Sequence, residues 1–185
     1  LNVNLGAIGA NVTAVGSISG RLAGTNNTGT GAINVGVNTA SAGAKSGNVT
    51  LDYVTAGAVN NVSNGLGTAS VGSGSVTVNG NVYQVAQASF GTTNIAFANR
   101  HVGDAASQAI SITNTNIAPG FQESLKGAAT LTGNATGGGS FASVAAGSSG
   151  SVTAGINTST AGAKSGSVNV ALTSVGAGTS GLADL

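Results

Sequence analysis

Cysteine, methionine and tryptophan are absent from this 185-residue chain, and proline and histidine occur once each. Without cysteine there is no disulfide, no thiolate nucleophile and no Cys-ligated metal. Stability must then come from sheet hydrogen bonds and packing alone. Charge is nearly missing too: five Lys and Arg and four Asp and Glu leave a formal net charge of +1. That excludes the electrostatic footprint of a nucleic-acid binder or of a protein held on an anionic membrane. No apolar run approaches the ~18 residues of a membrane helix, so membrane insertion is not expected. The amino terminus, Leu1-Asn2-Val3, has neither an initiator Met nor a signal-peptide pattern. The expectation is a processed chain or a window from a longer one.

What remains is glycine, at 32 positions, together with Ala, Ser, Thr, Asn and Val. This mixture is rich in strand and turn formers and, Ala apart, poor in helix formers. At 41% hydrophobic residues a core is affordable, although a thin one of Val, Ile, Leu and Ala; disordered chains are typically more charged and less apolar. Scarce lysine with a Gly/Ser/Thr/Asn bias resembles bacterial surface proteins, and an extracellular, cell-surface location is expected.

The chain repeats itself. Residues 37–47 read VNTASAGAKSG and residues 156–166 read INTSTAGAKSG. Asn38, Thr39, Ala42, Gly43, Ala44, Lys45, Ser46 and Gly47 recur as Asn157, Thr158, Ala161, Gly162, Ala163, Lys164, Ser165 and Gly166, at a constant spacing of 119 (164 − 45). AINVGVNT (32–39) answers SVTAGINT (151–158), and Ile18–Gly24 can be laid on Phe141–Gly147. The intervening loop is about four residues longer in the first copy, where it reads TNNTGTG. Both copies reach a Gly-Leu turn, at Gly65-Leu66 and Gly181-Leu182. They are incomplete in opposite senses. Residues 89–117 have no counterpart in the first copy, and residues 69–87 have none in the second.

Alternation predicts strands at Asn94–Phe97, Ala109–Thr113, Ser75–Val78 and Asn81–Val85. Val49, Leu51 and Tyr53 share a face, as do Val168, Val170 and Leu172. Turn signals stand at Ala42-Gly43, Gly103-Asp104 and Pro119-Gly120; Asn79-Gly80 fits a hairpin or a bend within one long strand equally well. Short strands at this spacing predict an all-β sandwich. Its core should hold Ile95, Phe97, Ile110, Ile112, Val168, Val170 and Leu172, answered in the first unit by Val49, Leu51 and Tyr53. The expected domains are 1–88, lacking its N-terminal strands, and 89–185, lacking its C-terminal strand.

The run Phe90-Gly91, Val102-Gly103-Asp104 and Ile110–Thr115 resembles the opening of the Hydin-type (ASH-like) immunoglobulin fold, above all the bacterial choice-of-anchor D repeats. Thr160–Gly166, and more loosely Ser41–Gly47, resemble the turn those modules place before a late strand, and Val76–Ala86 resembles their closing segment. The resemblance covers nearly the whole chain. It implies tandem immunoglobulin-like β-sandwich repeats in large secreted or surface-anchored bacterial proteins, with no activity and no catalytic residues.

Chemistry-bearing residues are few. His101, beside Arg100, could act as a base only if Asp104 oriented it and a serine such as Ser107 served as nucleophile; an exposed turn histidine is the plainer reading. The acids Asp52, Asp104, Glu123 and Asp184 are scattered singly, so a calcium site would have to be built from carbonyl oxygens. Gly137-Gly138-Gly139 and Gly72-Ser73-Gly74 precede no Lys-Ser/Thr, so they read as loops and not as phosphate cradles. Lys45 and Lys164 recur at one place and read as exposed turn lysines that solubilise a neutral sandwich or guard an edge, ahead of a binding role. Asn11, Asn48 and Asn134 stand in glycosylation triplets that this composition produces by itself. Tyr53, Tyr83, Phe90, Phe97, Phe121 and Phe141 read as core plugs. No catalytic, cofactor-binding or metal residue is therefore expected, and no enzyme.

Two functions fit. One is a structural repeat of a bacterial surface fibre, filament or adhesin stalk, whose partners are other copies or neighbouring repeats that complete its missing strands. The other is a carbohydrate-binding adhesin module of a biofilm matrix, with an extracellular polysaccharide as partner; it requires an exposed aromatic or a polar cleft.

Overall fold

The computed structural model describes residues 1–21, 29–59, 62–116 and 119–185. Most of the long first-copy loop therefore lies outside the described residues. Those described form strands and no helix. The chain divides into two compact units, Leu1–Val82 and Tyr83–Leu185.

The first unit is built on β1 (Asn2–Ile8), β2 (Val12–Ser19), β3 (Thr30–Val37), β4 (Gly43–Val54) and β7 (Ser70–Val82), with a short hairpin of β5 (Ala58–Val59) and β6 (Val62–Ser63). The five long strands make one antiparallel sheet in the order β3-β2-β1-β4-β7. It curls until its two ends face one another: a Cβ on Gly80 of β7 would stand 2.9 Å from Val37 Cγ1 of β3. Val12 on β2 likewise packs onto Gly47 of β4. Val3, Val12 and Val49 are the buried apolar residues of this unit. Asn79-Gly80 makes no hairpin here. β7 runs straight through it, with Ser46 opposite Asn79 and Lys45 opposite Gly80.

The second unit has β8 (Ala88–Phe90), β9 (Ser107–Asn114), β10 (Ser124–Gly133), β11 (Ala135–Gly138), β12 (Ser140–Val144), β13 (Ser149–Ile156) and β14 (Gly166–Val175). Its two sheets, β12-β10-β14 and β11-β13-β9-β8, meet over Ile110, Ile112, Leu125, Val144, Val152 and Ala154, flanked by Ile95, Phe141, Val168, Val170 and Leu172. The chain changes sheet between β11 and β12 through Gly137, Gly138 and Gly139, all at positive φ, where a side chain would be strained. Phe141 then lies between Gly127 and Gly150; a Cβ on either would stand within 2.6 Å of its ring.

The expected division at 88/89 moves to 82/83. Residues 83–88 are fastened to the second unit, not the first. Gln84 bridges Gln122, the Ala86 N–H donates to Ser174 Oγ at 2.8 Å, and the Tyr83 ring sits 5.5 Å from that of Phe121.

The repeat persists in the pairing. Asn2↔Val54, Val3↔Tyr53, Asn4↔Asp52 and Leu5↔Leu51 of β1/β4 answer Lys126↔Thr173, Gly127↔Leu172, Ala128↔Ala171 and Ala129↔Val170 of β10/β14. Val12↔Val37 and Ala14↔Val35 of β2/β3 answer Ala135↔Ile156 and Gly137↔Ala154 of β11/β13. The turns match as well. Asn11 Nδ2 donates to the Ser46 carbonyl at 3.5 Å, and Asn134 Nδ2 to that of Ser165 at 3.4 Å. The side chains of Asn38 and Asn157 each accept the backbone N–H two residues on, at 2.9 Å.

Candidate functional site

His101 stands in an exposed turn. Its side chain is 99% exposed, 3.5 Å from Asp104 through Nδ1. Asp104 Oδ2 accepts the His101 backbone N–H at 2.9 Å, and the Asp104 N–H returns to the His101 carbonyl. This closes a turn; Ser107 opens β9 opposite Gly155. Among the described residues no hydrogen bond joins His101 to a serine, and no three of His, Asp and Glu come together as a metal site.

Glu123 is buried, which its isolation in the sequence did not announce. Its two carboxylate oxygens accept from Ser174 Oγ and Ser180 Oγ, each at 2.6 Å. The neighbouring Asn114, fully buried, donates through Nδ2 to the Glu123 and Val144 carbonyls and accepts the Gln87 N–H at 3.2 Å. Such a satisfied polar network specifies how strand ends meet. It ties β9, the start of β10 and β14 to residues 176–185. At the surface Lys126 Nζ reaches Asp184 Oδ2 at 2.7 Å. That hydrogen bond, with the Ala177 N–H, holds the Asp184 carboxyl below its ordinary range.

The recurrent lysines do the same work in both copies. Lys45 Nζ donates to Ser41 Oγ at 2.8 Å, and Lys164 Nζ to Thr160 Oγ1 at 2.5 Å. Lys45 is buried, Lys164 only half so. The triplet asparagines Asn11 and Asn134 are engaged as turn staples. Gly72-Ser73-Gly74 lies within β7. Phe90, 39% exposed, departs from the core-plug expectation.

The open features are strand edges. Among the described residues β4 is flanked by β1 and β7, but its counterpart β14 by β10 and, at Ser174 alone, by the backbone of Leu185. β13 is flanked by β11 and β9, but its counterpart β3 only by β2. Each unit thus lacks, at one edge, the strand that the other possesses. The local consequences are visible in identical residues. Gly43–Gly47 is paired with β7, whereas Gly162–Ser165, the same sequence, belongs to no strand. Val35 on β3 is 41% exposed, whereas Ala154, at the matching place on β13, is 8% exposed.

Beside β14 runs a groove of about 960 Å³. One wall is residues 92–102, the other residues 160–170, and Ile110 and Ala154 lie at its base. The first wall includes the strand expected at Asn94–Phe97. Burial does alternate there, with Ile95 and Phe97 half-buried and Asn94 and Ala96 exposed, but no ladder forms. A strand is defined by its partner, and none of the described residues ladders with this segment.

No family model, no curated protein and no solved structure matches this chain. The functional reading rests on the edges and the groove.

Proposed function

We propose that this chain is a structural segment of an extracellular bacterial fibre, filament or adhesin stalk, made of tandem immunoglobulin-like sandwiches of the choice-of-anchor D kind. It is not an enzyme, and its partners are repeats like itself. The observation that carries the reading is the complementary deficit: β14 lacks the neighbour that β4 has in β7, and β3 lacks the neighbour that β13 has in β9. An unpaired edge is a template for another strand, and each open edge here is matched by a strand type that the repeat contains. Because the two edges differ, contacts between successive copies are head-to-tail and extend without closing. The nearly uncharged surface suits such packing, since little charge must be desolvated.

The test is the association state of the purified chain. Sedimentation velocity at rising concentration should show growing species, and negative-stain images should show elongated particles. A chain that stays monomeric at every concentration overturns the proposal. The second reading, a carbohydrate-binding module, draws on Phe90 at the groove. It expects glycan-array binding that is lost in Phe90→Ala.

A further inference from the structure

We propose that the groove beside β14 is the receiving site for β7 of a second copy of this chain, bound antiparallel to β14 in the register that β7 holds with β4. This rests on the strand-pairing reading above and adds its site, donor and register.

The acceptor is a copy of a strand already seen with its partner. Gly43, Ala44, Lys45, Ser46 and Gly47 of β4 stand opposite Val82, Asn81, Gly80, Asn79 and Val78 of β7, and Val49 opposite Val76. The same residues recur as Gly162–Gly166, with Val168 in the place of Val49. Transferring the register sets Gly162 opposite Val82, Lys164 opposite Gly80, Gly166 opposite Val78 and Val168 opposite Val76. Ser46 Oγ donates to Asn79 Oδ1 at 2.7 Å; Ser165 meets Asn79 in the same way. Lys45, opposite Gly80 of β7, is buried, whereas Lys164, with no such strand beside it among the described residues, is half-covered.

The donor has the two-faced pattern the groove requires. Gly74, Val76, Val78, Gly80 and Val82 alternate with Ser73, Ser75, Thr77, Asn79 and Asn81. In its own unit, among the described residues, β7 ladders with β4 alone and meets β3 only through Gly80 against Val37, and Val76 is 37% exposed. In the groove it has β14 on one side and residues 92–102 on the other, with Ile95 and Phe97 available to its valine face. Exchanging the β4 ladder for the β14 ladder replaces like hydrogen bonds with like. Uncovering Val49, fully buried, and the Val37–Gly80 contact is offset in part by covering Val168, already half-buried. The second wall supplies the rest, through the apolar area that Ile95 and Phe97 bury against the valine face. Main-chain pairing plus alternate side-chain pockets is the general mode of strand addition.

The experiment uses the full chain and a synthetic peptide of residues 70–82, read by residue-resolved amide hydrogen exchange. The peptide should slow exchange at 162–170 by at least about tenfold, and a scrambled peptide should not. The Ser165 carbonyl accepts the Asn134 N–H, so in this segment the Lys164 N–H is the one at the acceptor edge. Lys164→Pro removes it outside any strand and should abolish that protection, whereas Lys164→Ala, which keeps the N–H, should retain it. Unchanged exchange in β9 and β13 in the same spectra shows that the variant is folded. Absence of binding, protection confined to β4, or equal protection in Lys164→Pro overturns the inference, as does protection of 162–170 by a soluble glucan but not by the peptide. The two proposals fail separately. Elongated assemblies that persist in Lys164→Pro remove the β7 site and leave the fibre. Peptide protection in a chain that forms a closed dimer and no growing species does the reverse, and a chain that stays monomeric overturns both.

Discussion

Ser143 holds φ of 50°, the only non-glycine with positive φ among the described residues, and its counterpart in the first unit is Gly20, at φ 68°. An L side chain in that region costs on the order of 1–2 kcal/mol. Ser143→Gly is therefore expected to stabilise the second unit by up to about 1 kcal/mol, because the added freedom of the unfolded chain offsets part of the relief; urea unfolding measures it. The opposite sign is expected at Gly150. A Cβ there would stand 2.5 Å from Phe141 Cγ, and overpacking of a core costs roughly 1–3 kcal/mol, so Gly150→Ala should lower the urea midpoint with the slope unchanged. Asp184 supplies a pH dependence. Its carboxyl lies below the ordinary value of 3.8 in the folded chain, held first by the hydrogen bond from Lys126. A depressed folded value means a contribution that is complete above the unfolded value and is lost as pH falls through the folded one. Amide exchange at Gly176 and Ala177, which donate to Asp184 Oδ1, should accelerate in that acid window, and Asp184→Asn should remove the acceleration. His101→Ala, at a fully exposed turn, should leave the unfolding midpoint unchanged.

At the scale of the element, one sequence has two structures. Gly43–Gly47 is laddered to β7, and Gly162–Ser165 is not laddered at all. Intrinsic β propensity cannot be the cause, since the residues are the same; the neighbour is. Amides of 43–47 are accordingly expected to exchange slowly and those of 162–165 quickly in a single chain, and equal rates would contradict the described edge. The same argument explains why Asn94–Phe97, legible as a strand by its alternation, belongs to no ladder among the described residues. Its period belongs to its residues, and its ladder belongs to whatever lies alongside. Asn79-Gly80 teaches the converse. The dipeptide is a hairpin signal only where the chain turns back upon itself, and here β4 offers twelve residues of continuous edge that carry β7 straight through.

At the scale of the molecule the two units differ in how much they bury. The first closes over Val3, Val12 and Val49, the second over Ile110, Ile112, Leu125, Val144, Val152 and Ala154. Buried apolar area is the main stabilising term in folding, so the first unit is expected to unfold at lower denaturant. Two steps should appear in peptide-resolved exchange, with 1–82 opening before 83–185. A single concerted transition would mean that each unit draws its stability from the other.

Composition and period were enough to determine an all-β chain with an internal repeat of 119 residues, because strand formation needs only alternation and turn chemistry, both of which are local. They also singled out Ile110, Ile112 and Val49 as core positions, since alternation alone places them on an inner face. Which edges stay open, that residues 83–88 belong to the second unit, and that Glu123 is buried beneath Ser174 and Ser180 were decided by the tertiary structure. The reason is common to all three. A ladder, a domain boundary and a buried carboxylate are each defined by a partner distant in sequence, and alternation within a strand carries no information about which strand lies beside it.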